Sequence, residues 1–196
     1  MKNLILDDIL DLREYERIRE NYITEIIAKK KNRRVHIGPI ISLLFENRDT
    51  VKFQIQEMAR AEKIITDEGI QAELDTYNTL IPESGQLKAT LFIELTNQAE
   101  LRTWLPRLVG IQNSIFISDA AGSIKAHSKA LADHEQFLTK EEITPSVHYI
   151  KFDMTDFDVD ELIYKGLVIG VDHPQYQYQD RIDNLKVEEI LSDLKV

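Results

Sequence analysis

The spacing of hydrophobic residues changes near residue 82, from a helical period before it to alternation after it. Between Asp11 and Lys31 apolar residues recur every three or four positions, which predicts a first helix. Asp11 and Glu14 form a capping-box pair, so we expect this helix to begin there. Arg33–Pro39 and Ile40–Phe45 follow as two short segments that we expect to be extended.

A second predicted helix carries the most unusual pattern of the chain. Asp49 is placed to cap a helix that begins at Thr50. Five residues follow one another at steps of four, three, four and three, which places them on one stripe of the helix: Val51, Ile55, Met58, Glu62 and Ile65. Glu62 is the charged residue of this otherwise apolar stripe. A carboxylate on an apolar stripe must be paired, hydrogen-bonded or protonated, so Glu62 needs an explanation.

The second part of the chain is typical of strands with one buried face. Residues 87–95 alternate between apolar and polar side chains, and Thr96 is placed to cap a helix that ends near Leu108. Similar patterns predict strands at 114–118, 123–127, 147–153, 166–172 and 176–179, and helices at 156–164 and 186–194. Residues 129–145 are polar and weakly patterned, which predicts a connection.

These elements predict an α+β fold. We expect a helical N-terminal half packed on a mostly antiparallel β-sheet, or on a partly open barrel, formed by the C-terminal half. A linker rich in proline or glycine is absent between the helix-rich part (1–82) and the strand-rich part (83–196). A single α+β domain over residues 1–196 is therefore expected.

Composition limits the class of protein and the cellular compartment that we expect. The chain has 43% hydrophobic and 30% charged residues and no cysteine, which is typical of a globular protein and excludes disulfides, thiolate metal sites and a cysteine nucleophile. Its apolar runs are far shorter than the roughly 20 residues that cross a bilayer. The N-terminus lacks the pattern of a secretory signal, so we expect a soluble, cytoplasmic protein.

The charge distribution disfavours general nucleic-acid binding. The formal net charge is -10, and the main basic cluster is Lys29–Arg34. That cluster could contact a phosphate or an acidic partner, but cations at a helix C-terminus ordinarily complement the helix dipole. We therefore expect neither a nucleic acid nor a membrane as the partner.

Motifs with a known reaction mechanism are absent. The sequence lacks the glycine-rich nucleotide-binding loops, the nucleophile elbow and the zinc-protease helix motif. Whether the chain is an enzyme therefore stays open at this point.

Two histidines are candidate metal ligands. His148 and His173 each share a predicted strand face with apolar residues, so we expect both to point inward. With a carboxylate such as Asp172 or Glu62 they would supply the nitrogen and oxygen donors that Zn²⁺ or Fe²⁺ accepts. The alternative is that each is a half-buried histidine bonded to a carbonyl group.

Glu62 is the centre of a second candidate site. Arg48 or Arg60 could pair with its carboxylate and form a buried network that locks the second helix onto the extended segments before it. Alternatively, these arginines could hold an anionic substrate in a pocket while His36, Glu57 or Glu62 moves a proton.

Several stretches together resemble one bacterial family. They are HIGPIISLLFENRDTVKFQIQEMARAEKI at 36–64, ELDTYN at 73–78, LIP at 80–82, LKATL at 87–91 and GVDHP at 170–174. On these residues the chain resembles the DUF3501 family of bacterial proteins of unknown function. The resemblance supplies no activity and no catalytic residues. It implies an accessory role in redox chemistry or peroxide defence, since members of this family are often encoded near rubrerythrin-like and iron–sulfur oxidoreductase proteins.

Two functional hypotheses result. The first is a binding or accessory protein of a redox system, which docks a rubrerythrin-like or iron–sulfur protein or holds Fe or Zn. The second is a small-molecule enzyme that acts on an anionic substrate. A homodimer is expected in either case, because two-fold dimers are the commonest soluble assembly.

Overall fold

The computed structural model describes residues 1–131 and 143–195, and within these ranges it has a mixed α+β fold. The helices are α1 (Leu12–Arg33), α2 (Arg48–Glu62), α3 (Asp67–Tyr77), α4 (Gln98–Trp104), α5 (Val159–Lys165) and α6 (Asn184–Leu191). Short 3-10 turns lie at Leu6–Asp8, Asn78–Leu80, Ile111–Asn113 and Ser192–Lys195. Of the connection predicted at 129–145, residues 132–142 lie outside the described residues.

The strands are β1 (Arg34–Ile37), β2 (Ile41–Glu46), β3 (Gln86–Ile93), β4 (Ile115–Asp119), β5 (Lys125–His127), β6 (Lys129–Ala130), β7 (Val147–Asp153), β8 (Leu167–His173) and β9 (Tyr176–Arg181). They form two antiparallel sheets: the first has the order β1-β2-β3-β7-β6 and the second the order β5-β4-β8-β9. Among the described residues neither sheet closes on itself, so the fold class is confirmed in its sheet form and not as a closed barrel. The N-terminal part contributes a hairpin, β1-β2, to the first sheet, and so is not purely helical.

The register of the first sheet decides what each of its faces carries. Val35, Leu43, Leu91 and His148 lie opposite one another on β1, β2, β3 and β7, and this row faces the core. Because side chains alternate along a strand, the neighbouring positions project from the other face. That row consists of Arg34, Leu44, Thr90 and Tyr149.

Two hydrophobic clusters lie on the two faces of the first sheet. The larger cluster joins the inner faces of both sheets, as in Leu91 and Ile169, and includes Val187 of α6. The smaller cluster packs α2 and α3 on the outer face through Ile55 and Leu74. The first sheet is therefore the middle layer, and its outer face is covered by helices. None of the helices among the described residues is long and apolar enough to span a membrane.

Local capping explains where the first two helices begin. The side chain of Asp11 accepts hydrogen bonds from the backbone N–H groups of Arg13 and Glu14, which confirms the predicted start of α1. For α2 the predicted cap, Asp49, is wrong. The side chain of Asn47 accepts from the N–H groups of Asp49 and Thr50, so α2 begins two residues earlier than predicted.

The end of α2 changes the interpretation of Glu62. The helix stops at Glu62 because Lys63 takes the left-handed conformation, with φ at 56°, and caps the last turn. Its buried face follows steps of four through Val51, Ile55 and Ala59. Glu62 is exposed, so the prediction that it lies on a buried stripe is wrong.

Candidate functional site

A partly enclosed cleft of about 280 Å³ lies on the outer face of the first sheet. The sheet supplies one wall, α2 and the end of α3 supply the second, and the C-terminal end of α1 closes one side. The lining side chains combine two cations, one carboxylate, two phenols, other polar groups and several apolar groups: Lys30, Arg34, Leu44, Glu46, Val51, Gln54, Tyr77, Leu80, Thr90, Phe92, Val147 and Tyr149. Such a mixture of apolar walls and a few convergent polar groups is typical of small-molecule sites.

Lys30 brings a positive charge to this cleft. Its Nζ lies 4.6 Å from the centre of the Phe53 ring, a cation–π contact that fixes the half-buried side chain. Within the part of the chain that the structure describes, the ammonium has no carboxylate within 4.0 Å. Burial lowers the pKa of Lys30. The negative charge of Glu46, which lies beyond 4.0 Å, raises this pKa but does not outweigh burial.

Glu46 brings a buried negative charge to the same cleft. This residue is 8% exposed, and its two carboxylate oxygens accept hydrogen bonds from the hydroxyls of Thr50 and Thr90, each at 2.5 Å. Among the described residues it has no cation within 4.0 Å. A buried carboxylate that is held by neutral donors alone is costly to remove from water.

Arg34 and two tyrosines complete the polar lining. The Arg34 guanidinium donates to Glu94 at 2.9 Å and to Ser42 at 3.0 Å, so its charge is largely compensated outside the cleft. Burial raises the pKa values of Tyr77 and Tyr149 further above neutral pH. Lys30 is therefore the cation of the cleft without a counter-ion among the described residues.

The basic cluster 29–34 does not form one surface patch. Lys29 pairs with Asp49, while Arg33 is buried, and Lys30 and Arg34 line the cleft. The cluster is divided because successive residues at the end of a helix point in different directions. Contact of this cluster with a phosphate or an acidic partner stays a prediction.

The five predicted acid–base candidates do not meet in one pocket. Arg48 pairs with Asp8 at 2.6 Å, and Arg60 pairs with Glu16 at 2.5 Å. Glu62 lies in neither of these pairs, since it is exposed at the end of α2. The predicted network of Glu62 with Arg48 or Arg60 is therefore wrong.

Glu57 and His36 have separate environments as well. Glu57 accepts two hydrogen bonds from Arg19, each at 2.8 Å, and one from the Tyr15 hydroxyl at 2.7 Å. The Arg19 contact lowers the pKa of Glu57, although partial burial opposes this effect. His36 is largely exposed, and its Nδ1 lies 3.9 Å from Glu94. Glu57 thus fastens α2 to α1, and His36 lies at the edge of the sheet.

The structure places the three metal candidates in different surroundings. His148 is buried on the core face of the first sheet, where its Nε2 lies 2.9 Å from the Thr144 hydroxyl. His173, on the second sheet, has its Nε2 3.0 Å from the Val109 carbonyl oxygen. Asp172 is partly exposed beside Lys125 and His127 instead. Within residues 1–131 and 143–195, no group of three or more His, Cys, Asp or Glu residues is arranged to hold a metal ion.

The residues of the cleft were only partly visible in the sequence. The alternation of residues 87–95 places Lys88, Thr90 and Phe92 on one face of the strand and the core residues, such as Leu91, on the other. That pattern signals a polar face, but it does not show that a helical layer covers it or that Lys30 and Glu46 approach it. Only the strand register and the course of α1 reveal the cleft.

Comparisons with known proteins identify a family without identifying an activity. The family model described as "Protein of unknown function (DUF3501)" matches residues 3–194, so the chain belongs to this family. A crystal structure of a novel protein of unknown function from Burkholderia pseudomallei K96243 is similar, with a TM-score of 0.89 and 37% sequence identity. The match covers 98% of this chain and 100% of that one. Among curated proteins the comparison finds no match.

Proposed function

We propose that this member of a family of unknown function is a binding protein whose cleft takes a small organic anion. The single observation that carries the proposal is the Lys30 ammonium, which faces a partly enclosed cleft and has no carboxylate within 4.0 Å among the described residues. Because a half-buried charge gains most from an opposite charge, an anionic group is the partner that this ammonium favours.

The remaining lining limits the size and the shape of the ligand. A cleft of about 280 Å³ is near the lower end of the range for small-molecule sites, so the ligand has few atoms. Leu44, Val51 and Phe92 supply apolar surface beside the charged groups. A short hydrocarbon chain that ends in a carboxylate matches both parts of the lining.

Pentanoate is a suitable probe, and 1-pentanol is its uncharged counterpart. Titration of isotopically labelled protein, followed by backbone amide NMR shifts, is expected to show pentanoate binding with shifts at the cleft. The Lys30→Gln substitution is expected to weaken pentanoate binding about tenfold or more, since it removes a charge-assisted hydrogen bond. 1-Pentanol is expected to bind more weakly than pentanoate to the unmodified protein.

Lys31→Gln is the matched control, because Lys31 is the exposed neighbour of Lys30 on the same helix and does not line the cleft. This variant is expected to bind pentanoate like the unmodified protein. The proposal is wrong if pentanoate causes no shifts at the cleft, or if Lys30→Gln and Lys31→Gln bind it equally well.

The accessory role in a redox or peroxide-defence system stays a prediction, as do its rubrerythrin-like or iron–sulfur partner and the homodimer. These ideas rest on the family resemblance and on general tendencies, and they are compatible with a ligand-binding cleft. A reaction at His36, Arg48, Glu57, Arg60 and Glu62 is no longer supported, since these side chains do not converge. Co-purification with a rubrerythrin-like or iron–sulfur protein would test the partner directly.

A further inference from the structure

The cleft contains two charges of opposite sign that do not form an ion pair with each other. The Lys30 ammonium comes from the last turns of α1, and the Glu46 carboxylate comes from the end of β2. They are more than 4.0 Å apart, yet close enough for Glu46 to act on the pKa of Lys30. Two charged groups of opposite sign thus face the same space without forming an ion pair.

Glu46 is held in place by its surroundings. Its side chain is fixed by Thr50 and Thr90, and the Arg33 guanidinium contacts its backbone carbonyl oxygen at 3.4 Å. An ionised carboxylate offers about four acceptor positions, and the two threonine hydroxyls use two of them. The carboxylate therefore keeps acceptor capacity for a donor that enters the cleft.

A ligand with a single charge would satisfy only one of the two groups. An anion bound at Lys30 adds a second negative charge near Glu46, which costs energy in a partly buried site. A cation bound at Glu46 meets the same difficulty with Lys30. A ligand that carries both charges removes the repulsion and satisfies both groups.

We infer that the cleft binds a zwitterion, a small amino acid-like molecule whose carboxylate lies at Lys30 and whose ammonium lies at Glu46. This inference rests on the proposed function and extends it, because it assigns a second recognition residue and a chemical class to the ligand. Glu46 is a specificity-determining residue in this arrangement. The apolar lining, such as Leu44 and Val51, contacts the hydrocarbon part.

Three probes test the inference without any change to the protein. 2-Aminopentanoate (L-norvaline) and 5-aminopentanoate are isomers that differ in the separation of their charges, and pentanoate is the parent of both without the amine. We expect at least one isomer to bind about tenfold tighter than pentanoate, because its ammonium adds a charge-assisted hydrogen bond to a buried carboxylate. Equal or weaker binding of both isomers would overturn the inference.

A variant assigns the preference to Glu46. Glu46→Gln preserves the shape of the side chain and is expected to abolish the preference for the amine while pentanoate still binds. Thermal unfolding of this variant shows whether it is folded, and the comparison of the three probes on the unmodified protein decides the inference in any case. A Glu46→Gln variant that is folded and keeps the full preference would also contradict it.

The outcomes separate the inference from the proposed function. Binding of pentanoate that depends on Lys30 and is not exceeded by either isomer supports the anion site and rejects the zwitterion. Failure of pentanoate to shift the cleft residues rejects the proposed function itself, whether or not the isomers bind.

Discussion

Arg33 and Asp193 form a buried ion pair that joins the end of α1 to the C-terminal turn, although 160 positions separate them. Both side chains are almost fully buried. The same guanidinium donates to the Phe45 carbonyl oxygen at 2.9 Å and contacts the Glu46 carbonyl oxygen at 3.4 Å. One arginine therefore connects the first helix, the last turn and the strand end that carries the buried carboxylate of the cleft.

Asp193→Asn is expected to lower the free energy of unfolding by about 3–5 kcal/mol, because among the described residues it leaves the buried Arg33 charge with only the half-exposed Glu189 as its carboxylate partner. Urea unfolding followed by circular dichroism measures the change. Asp160→Asn breaks an exposed pair with Lys195 and is expected to have little effect. Equal effects of the two substitutions would contradict the structural role of Asp193.

Stability is expected to depend on His148 between about pH 4 and 6.5. Burial lowers the pKa of His148 from 6.5 to about 4, while a hydrogen bond with the Pro145 backbone acts in the opposite direction. In this range the unfolded chain binds a proton that the folded protein excludes, so the free energy of unfolding falls as the pH falls. His148 alone contributes a slope of up to about 1.4 kcal/mol per pH unit.

The His148→Gln variant is expected to lose that slope in urea unfolding measured at several pH values. Carboxylates whose pKa values are lowered in the folded protein, such as Asp8 and Glu57, also make the protein less stable in acid. They are present in both proteins, so the difference between the two curves isolates His148. His36→Gln, at a largely exposed histidine, is expected to leave the curve unchanged, and a similar loss in both variants would refute the assignment.

Glu57→Gln is expected to reduce stability without affecting ligand binding. Glu57 accepts hydrogen bonds from Arg19 and from the fully buried Tyr15, so its loss weakens the contact between α1 and α2 by about 1–3 kcal/mol. A double-mutant cycle with Tyr15→Phe measures the coupling between the two side chains. Weaker binding of pentanoate to a folded Glu57→Gln protein would show that this residue belongs to the site after all.

Gly38→Ala is expected to destabilise the protein more than Gly110→Ala does. Both glycines have positive φ angles, 63° and 91°, so alanine is strained at either position. A methyl group at Gly38 would also lie 2.5 Å from the Tyr176 hydroxyl oxygen and 2.6 Å from the Tyr178 ring. At Gly110 no atom of a described residue lies within 4 Å of such a methyl group, apart from the two chain neighbours. Thermal unfolding of both variants provides the test, and equal losses would mean that the tyrosines move away at no cost.

Short-range signals in the sequence predicted much of the fold. The start of α1 at Asp11 and the strand Val147–Asp153 were confirmed, because capping and alternation depend on neighbouring residues. The same reasoning failed at the end of α2. Steps of three and four fit Glu62 and Ile65 equally well, and only the left-handed cap at Lys63 ended the helix before them.

By itself the sequence determined the α+β class, most of the elements and the absence of cysteine chemistry. The tertiary structure decided which charged residues meet. Glu46, Thr90 and Lys30 come from β2, β3 and α1, and only the register of the sheet and the packing of the helices bring them to one cleft. A periodic pattern shows which face of an element is buried, but it carries no information about the distant element that covers that face.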